Sequence, residues 1–264
     1  MGTTYAGAEH KAREIELHRH VAEGYRLRYG TPFAAIFQRF WNEELLALLP
    51  ERIEAPALDN GCGTGILLPD LLSRCAAVSA VDLSPDMLAQ ARVRAPEADL
   101  EVGDLEDLPF ADASFRTVIC RGSLHHVPSR EKAFSEAYRV LQPGGLFALT
   151  EPSDDFLPVR WARAALYRFS PKFDEHDRAF TRREVERRLA HAGFELLAFK
   201  RFGYLSYLFC GFPDVLSIIL HLPGQVALTK ALVRLDRLIA RVPGVRAASF
   251  HLMALARKPP TTQF

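Results

Sequence analysis

The sequence has little net charge, little cysteine and no long hydrophobic run. With 33 Lys and Arg against 32 Asp and Glu, it lacks the basic excess of a dedicated nucleic-acid-binding protein. Its cysteines show no metal-ligand or redox spacing, so we expect no metal site and a reduced, cytoplasmic protein. No stretch approaches the ~18 apolar residues of a membrane span, and the N-terminus lacks the apolar segment of a signal peptide. Nearly half of the 264 residues are nevertheless hydrophobic, which is enough for a sizeable core.

Short β-rich segments alternate with helical segments after Pro50, which indicates βα units and a parallel sheet. Before that point, residues 9–49 have helix-like spacing of apolar side chains. Pro143-Gly144-Gly145 predicts a break before the fifth strand, and Thr181 with Glu184 predicts a capping box. The expected strands are 56–60, 77–82, 99–102, 116–121, 145–151, 194–201 and 249–256, and the expected helices are 64–75, 85–95, 130–141 and 181–192.

Three successive strand ends carry glycine or aspartate. The first strand runs into the loop LDNGCGTG, which contains Gly61, Gly63 and Gly65, and the next two strands are followed by Asp82 and Asp104. Glycine suits a sharp turn and the close approach of a ligand. The N-terminus of the next helix favours an anionic group, and an aspartate at the second strand end can accept hydrogen bonds from ribose hydroxyls. This pattern predicts a pocket for a nucleoside with a charged tail.

A nicotinamide-binding Rossmann domain shares the glycine loop and the ribose carboxylate. Its third glycine falls three residues after the second, where this sequence has Ile66. That interpretation also leaves Asp104 and the Pro-Gly-Gly break without a role, so it stands as the alternative.

Five segments resemble successive motifs of class I S-adenosylmethionine-dependent methyltransferases, closest to the UbiE-like, small-molecule branch: LDNGCGTG, AVDLSPDMLAQAR, GDLEDLPFADASF, SLHHV and RVLQPGGLFALTEPS. The resemblance covers 55–151, and more loosely 181–201 and 249–258. It implies a Rossmann-like, doubly wound α/β fold with a seven-stranded sheet of order 3-2-1-4-5-7-6, strand 7 antiparallel, and helical insertions. It also implies S-adenosyl-L-methionine as cofactor and S-adenosyl-L-homocysteine as product.

The same resemblance implies residue roles around the methionine part of the cofactor. The backbone of the three glycines packs on it. Asp59 contacts the methionine amine directly or through water, and Arg121 offers that amine its backbone carbonyl. Tyr29, in the helical stretch before the core, lies over the cofactor tail or, equally, packs a helix on the sheet.

Around the adenosine part, the resemblance assigns Asp82 to the ribose hydroxyls and Leu83 to one side of the adenine. Asp104 and Leu105 frame the adenine from the third strand end.

Methyl transfer needs a general base only when the acceptor arrives protonated. His125 and His126, after the fourth strand, and Glu151, at the end of the fifth, are the candidates, and histidine is the natural base near neutral pH. A structural role for the His-His pair remains open. Methylases that act on amino groups of bases or glutamine amides have an Asn/Asp-Pro-Pro-aromatic turn after strand four, where this chain has Arg121-Gly122-Ser123-Leu124.

We expect one methyltransferase domain over 1–264, with an N-terminal helical segment at 1–50, a cofactor-binding core at 55–151, and insertions at 152–180 and 202–248. Within 202–248, apolar side chains lie beside a row of basic ones at 3–4 spacing. Such a pattern fits a substrate lid, a homodimer contact, or peripheral membrane contact through 203–245.

The sequence therefore predicts methyl transfer from S-adenosylmethionine to a small, apolar molecule such as a lipid, a quinone or an aromatic metabolite. Nucleic acid is not expected as a partner. The alternatives are an NAD(P)-dependent oxidoreductase and a non-catalytic relative that binds the cofactor.

Overall fold

The structure, a computed structural model, describes residues 29–169, 178–211 and 217–261. Most of the predicted N-terminal helical segment thus lies outside the described residues. The strands are β1 Ala57–Asn60, β2 Val78–Asp82, β3 Asp99–Val102, β4 Phe115–Arg121, β5 Leu141–Pro152, β6 Glu195–Phe202 and β7 His251–Arg257. The α-helices are α1 Pro32–Leu46, α2 Leu68–Leu72, α3 Pro85–Arg94, α4 Arg130–Val140, α5 Leu157–Phe169, α6 Arg182–Ala192, α7 Leu205–Cys210 and α8 Gln225–Ile239. Two 3₁₀ helices cover Ser217–His221 and Val245–Ala247.

The strands form one sheet in the order β3-β2-β1-β4-β5-β7-β6. Neighbours from β3 to β5 pair in parallel, and β7 runs antiparallel to both β5 and β6. The predicted sheet order and the antiparallel seventh strand are confirmed. Because parallel strands present their carboxyl ends at one edge, β1, β2, β3, β4 and β5 all end on the same side.

The helix that follows the first insertion begins and ends where its sequence predicts. Thr181 caps α6 by accepting a hydrogen bond from the N–H of Glu184 (3.2 Å). Gly193 ends the helix in the left-handed conformation with φ of 95°, which glycine adopts without steric cost. The Glu184 carboxylate does not close the box as predicted, because it accepts hydrogen bonds from Arg130 and Arg188.

Two predicted boundaries are wrong. The helix expected over 64–75 covers only Leu68–Leu72, since the glycine loop turns through residues 61–67 first. The Pro-Gly-Gly break lies inside β5 rather than before it. Phe115 pairs with Leu141 and Thr117 with Leu146, so the extra residues of β5 form a bulge opposite one residue of β4.

The sheet buries an apolar core on each face. One core contains side chains of α1, α2, α3, α7 and α8, and the other contains those of α4 and α6. In β1, Ala57 belongs to the first core and Leu58 to the second. Because side chains alternate along a strand, Asp59, two residues after Ala57, points to the same face as Ala57, which is the face covered by α1. Arg121 of β4 points to this face as well, because it lies two residues after Ile119, which belongs to the first core.

The two insertions pack against the sheet at its carboxyl edge. Arg163 of α5 donates hydrogen bonds to the backbone carbonyls of Ser153 (2.8 Å) and Phe250 (2.9 Å). In the second insertion, the Asp236 carboxylate of α8 accepts hydrogen bonds from the backbone N–H groups of Tyr204 (2.9 Å) and Ser206 (3.1 Å) at the start of α7. Within the ranges given above, none of the helices is long and apolar enough to cross a membrane.

Candidate cofactor and active site

The ends of β1 and β2 are joined by the carboxylate of Asp82. It accepts hydrogen bonds from the N–H of Gly63 (2.8 Å) and from the N–H of Ser84 (2.9 Å). Burial raises the pKa of Asp82, and the two backbone N–H donors work against that rise. A carboxylate has about four lone-pair sites, so these two bonds leave acceptor capacity for a ligand hydroxyl. Asp82, which is predicted to bind the ribose, therefore also holds the glycine loop in place.

The three glycines of the loop differ in why a side chain would not fit at their positions. A Cβ at Gly61 would lie 2.3 Å from Ser123 Oγ, and a Cβ at Gly65 would lie 2.9 Å from the Cβ of Ala91. A Cβ at Gly63 would meet nothing within 4 Å, although φ is +53°. Gly61 and Gly65 are therefore required by the protein's own packing, and Gly63 borders open space.

Asp59 is a buried acid without a partner. Its side chain is 1% exposed, and neither carboxylate oxygen has a hydrogen-bond partner in the part of the chain that the structure describes. Burial raises its pKa from 3.8 to about 7, while Arg121 lowers it and Asp82 raises it further. Because an unpaired buried carboxylate is costly, the site suits a cationic group such as an ammonium.

The Arg121 side chain reaches the α1 face close to Asp59. One guanidinium nitrogen donates a hydrogen bond to Gln38 Oε1, and its carbon lies 4.2 Å from the ring centroid of Trp41. Burial lowers the pKa of Arg121 to about 10, and nearby Tyr29 and Asp59 oppose that shift. The family resemblance assigned three residues to the methionine tail of the cofactor, and these lie close together in the structure: Tyr29, Asp59 and Arg121. Sequence analysis considered only the backbone carbonyl of Arg121 and missed its side chain.

The third strand end is fixed to the second. The N–H of Gly103 donates to the carbonyl of Asp82 (3.1 Å). Asp104 follows directly, and its Oδ1 accepts a hydrogen bond from the N–H of Glu106 (2.9 Å). Leu105 is buried, and Leu83 is half-buried beside the second strand end. The predicted adenosine residues therefore sit on two adjoining strand ends.

The three catalytic candidates also come together. Glu151, fully buried, accepts hydrogen bonds from the N–H groups of Ser123 (3.2 Å) and Leu124 (2.9 Å). Its other oxygen lies 2.7 Å from Nδ1 of His125. The rings of His125 and His126 lie 3.9 Å apart, and the charge of His126 lowers the pKa of Asp82. The Glu151 carboxylate therefore orients the imidazole of His125.

An aromatic group on the α1 face was missed by sequence analysis. The His251 ring lies 4.5 Å from both Trp41 and Tyr207, measured between centroids. Neither of its nitrogens has a hydrogen-bond partner within the described ranges, and burial holds its pKa well below the usual value. Trp41 Nε1 donates to Thr150 Oγ1 (3.2 Å). These residues come from four distant segments, so no local motif could have revealed the group.

Comparisons with known proteins give independent evidence on the family of the chain. A family model described as a methyltransferase domain matches residues 58–149. A malonyl-[acyl-carrier protein] O-methyltransferase of Geobacter sulfurreducens is 37% identical over 61% of this chain and 64% of its own length. A ubiquinone biosynthesis O-methyltransferase of Xanthomonas euvesicatoria is 32% identical over 62% of this chain and 79% of its own length. The chain spans 48% and 49% of two further malonyl-[acyl-carrier protein] O-methyltransferases.

Among solved structures, a SAM-dependent methyltransferase from Thermotoga maritima has a TM-score of 0.62 at 18% identity, and the match covers 92% of this chain and 99% of that one. This likeness concerns the fold. The chain belongs to the class I S-adenosylmethionine-dependent methyltransferases, as the motifs indicated. The oxidoreductase interpretation is wrong: the dinucleotide-binding Rossmann sheet has the order 3-2-1-4-5-6, without the antiparallel strand inserted here.

Proposed function

We propose that the protein transfers a methyl group from S-adenosyl-L-methionine to a small, apolar acceptor. Two observations carry this proposal: the buried Asp59 carboxylate has no hydrogen-bond partner among the described residues, and the space around the Cβ position of Gly63 is open. A buried acid and a glycine-rich loop together fit the ammonium group and the methionine tail of the cofactor. Family membership supports the same reading.

The cofactor-binding residues follow from this fit. Asp59 would hold the methionine ammonium, with Arg121 and Tyr29 close by. Gly61 and Gly65 shape the loop, and Gly63 lets the ligand approach its backbone. Asp82 would accept hydrogen bonds from the ribose hydroxyls, a role that its two backbone bonds pre-orient.

The adenine would lie between the second and third strand ends, against Leu83 and Leu105, with Asp104 at its edge. This arrangement uses apolar surface for the base and carboxylate oxygens for its amino group.

When bound, S-adenosylmethionine supplies an electrophilic methyl group on a positively charged sulfonium. The protein's own contribution to catalysis is position and proton transfer. Glu151 accepts the Nδ1 proton of His125 in a hydrogen bond, and that tautomer carries its lone pair on Nε2. Nε2 of His125 would take the proton from an acceptor hydroxyl, and Glu151 would stabilise the resulting imidazolium. His126 adds positive charge toward Asp82 when it is protonated.

The apolar nature of the acceptor is supported by the rings around His251. Trp41, Phe202 and Tyr207 surround it at the carboxyl edge of the sheet. We propose that the insertions 152–180 and 202–248 complete the substrate side of a single domain. The protein would act in the cytoplasm, and a homodimer remains a separate proposal for the second insertion.

The test uses methyl-labelled S-adenosylmethionine, the purified protein and a metabolite extract, with the products separated into organic and aqueous phases. Label in the organic phase with the native protein, and none with Asp82→Ala, is the expected result. Label confined to the aqueous phase would overturn the apolar acceptor. Binding of S-adenosylhomocysteine by calorimetry without any transfer would favour the second candidate, a non-catalytic cofactor-binding relative, since Asp59 and Asp82 serve binding alone as well.

A further inference from the structure

The outward side of α8, together with the turn at 240–242 that follows it, carries two rows of residues. An apolar row consists of Ala227, Ala231, Leu235, Leu238 and Val242, and a basic row consists of Lys230, Arg234, Arg237 and Arg241. Each basic residue directly precedes a residue of the apolar row, so the two rows lie side by side at helical spacing. We call the two rows together the α8 surface.

The inward side of α8 is a different set of residues. Thr229, Val233 and Asp236 are buried, and Val233 belongs to the core shared with α1 and α7. Leu238 and Val242, by contrast, are 57% and 47% exposed. The helix therefore uses its opposite side for packing on its own protein, and the apolar row is not explained by a lid that closes on the sheet.

The charges of the α8 surface have one sign. Asp236 is the only acidic residue between 215 and 264, and it is buried under the helix. Arg237 forms ion pairs with Glu43 (2.9 Å) and Glu44 (3.3 Å) of α1. Within the described ranges Lys230, Arg234 and Arg241 have no ion pair, so their charges face outward without compensation.

We propose that the α8 surface binds the surface of an anionic lipid membrane. An apolar row beside an uncompensated basic row is the arrangement of helices that lie in the interface, with apolar side chains among the acyl chains and basic ones at the headgroups. A second copy of the chain is a poorer occupant, because two such surfaces bring rows of basic residues together and α8 itself has no exposed acid.

The α8 surface is connected to the active site through α7. Asp236 holds the first turn of α7 by accepting hydrogen bonds from the backbone N–H and the hydroxyl of Ser206. One residue later, Tyr207 contacts Trp41 and His251. Membrane binding would thus bring the apolar phase to the insertion that borders the site. Binding itself does not require methyl transfer.

Vesicle co-sedimentation tests the proposal without any turnover. The full chain is mixed with phosphatidylcholine vesicles and with vesicles that also contain phosphatidylglycerol. We expect sedimentation with the second kind only, and release by added salt. Lys230→Glu/Arg234→Glu/Arg241→Glu should lower the partition coefficient at least about a hundredfold, since one basic residue near an anionic surface contributes about fivefold. Leu235→Asp/Leu238→Asp should also abolish binding.

Arg92→Glu/Val93→Asp on α3 is the matched control, because it changes an exposed basic residue and an exposed apolar neighbour elsewhere; Val93 is 87% exposed. This variant should bind like the native chain, and circular dichroism should show all variants folded. Absence of binding to either vesicle, or binding that the control variant loses equally, would overturn the proposal. A concentration-dependent dimer in sedimentation velocity that Leu235→Asp/Leu238→Asp abolishes, without vesicle binding, would assign the α8 surface to a second copy.

Discussion

The Asp82 carboxylate accepts a hydrogen bond from the backbone N–H of Gly63 at 2.8 Å. The acid that ends β2 therefore holds the loop that follows β1. Both residues were predicted from the sequence to contact the ligand, and the structure shows that they are hydrogen-bonded to each other. A ligand at this edge meets a loop whose shape is fixed before binding, which lowers the conformational cost of binding.

Gly63→Ala should weaken cofactor binding in addition to its cost to the fold. The substitution imposes a left-handed φ on alanine, which costs about 1–2 kcal/mol, and it fills the open space at the loop. Binding of S-adenosylhomocysteine, measured by calorimetry, should weaken at least about tenfold, because a loss of about 1.4 kcal/mol already has that effect.

Gly144→Ala is the matched control. Gly144 has φ of +80° and open space around its Cβ position, like Gly63, but it lies in the β5 bulge at the opposite end of the strand. The two variants should lose similar stability in urea unfolding. Equal affinity for S-adenosylhomocysteine in both would contradict the location of the cofactor tail at Gly63.

The affinity for S-adenosylhomocysteine should rise with pH through the ionisation of Asp59. The pKa of this acid is about 7 without ligand, and the ionised form is the one that attracts an ammonium. Its ionised fraction increases about eightfold between about pH 6 and about pH 7.5, and the apparent affinity should follow it. Calorimetry at the two pH values measures the change.

Asp59→Asn removes the titrating group and keeps the shape. Its affinity should be lower and nearly independent of pH in this window. The raised pKa of Asp59 also makes the stability of the protein depend on pH. Because the folded state favours protonated Asp59 and the unfolded state does not, the native protein without ligand should lose stability as the pH rises from about 4 to about 7. The asparagine variant should lack that loss, and an unchanged pH profile in both experiments would rule out this role.

Glu151→Gln should slow methyl transfer without weakening cofactor binding. The amide keeps an oxygen for the N–H groups of Ser123 and Leu124 but no longer stabilises a protonated His125. General-base catalysis contributes about a hundredfold to ten-thousandfold in rate, so the labelled-methyl assay should show a loss in that range, as should His125→Ala.

The double variant Glu151→Gln/His125→Ala shows whether the two residues act together or separately. If Glu151 acts by orienting His125, the losses should not add. NMR gives an independent readout, since Glu151→Gln should change the chemical shifts of the His125 ring, which loses its carboxylate partner. A normal rate in Glu151→Gln would contradict a role of Glu151 in catalysis, and additive losses would mean that Glu151 and His125 act independently.

Asp236→Ala should destabilise the second insertion. The substitution leaves the buried N–H groups of Tyr204 and Ser206 without acceptors, and each unsatisfied buried donor costs about 1–3 kcal/mol. Urea unfolding should report the loss, and hydrogen exchange should show it first in α7. Asp99→Asn, at an exposed position of β3, should leave both measurements unchanged.

Local sequence signals identified most of the core. The alternation of β-rich and helical segments, the glycine loop and the acids at the strand ends predicted β1 to β4 within one residue, whereas β5 begins four residues earlier than predicted. Sheet order came from the resemblance rather than from any local pattern. The helix after the glycine loop was predicted too long, because spacing of apolar residues does not show where a loop must first turn away from its strand.

The aromatic group on the α1 face could not be predicted from the sequence. Trp41, Tyr207 and His251 belong to three distant segments, and only the packing of two helices against the sheet brings them together. The same holds for burial: Asp59 and Asp236 look like ordinary acids in the sequence, and the folded chain surrounds both. The sequence by itself determined the cofactor loop, the strand pattern and the family, because these depend on neighbouring residues. Tertiary structure decided which polar groups are buried and which apolar residues of α8 remain exposed to solvent, because burial depends on packing between distant segments.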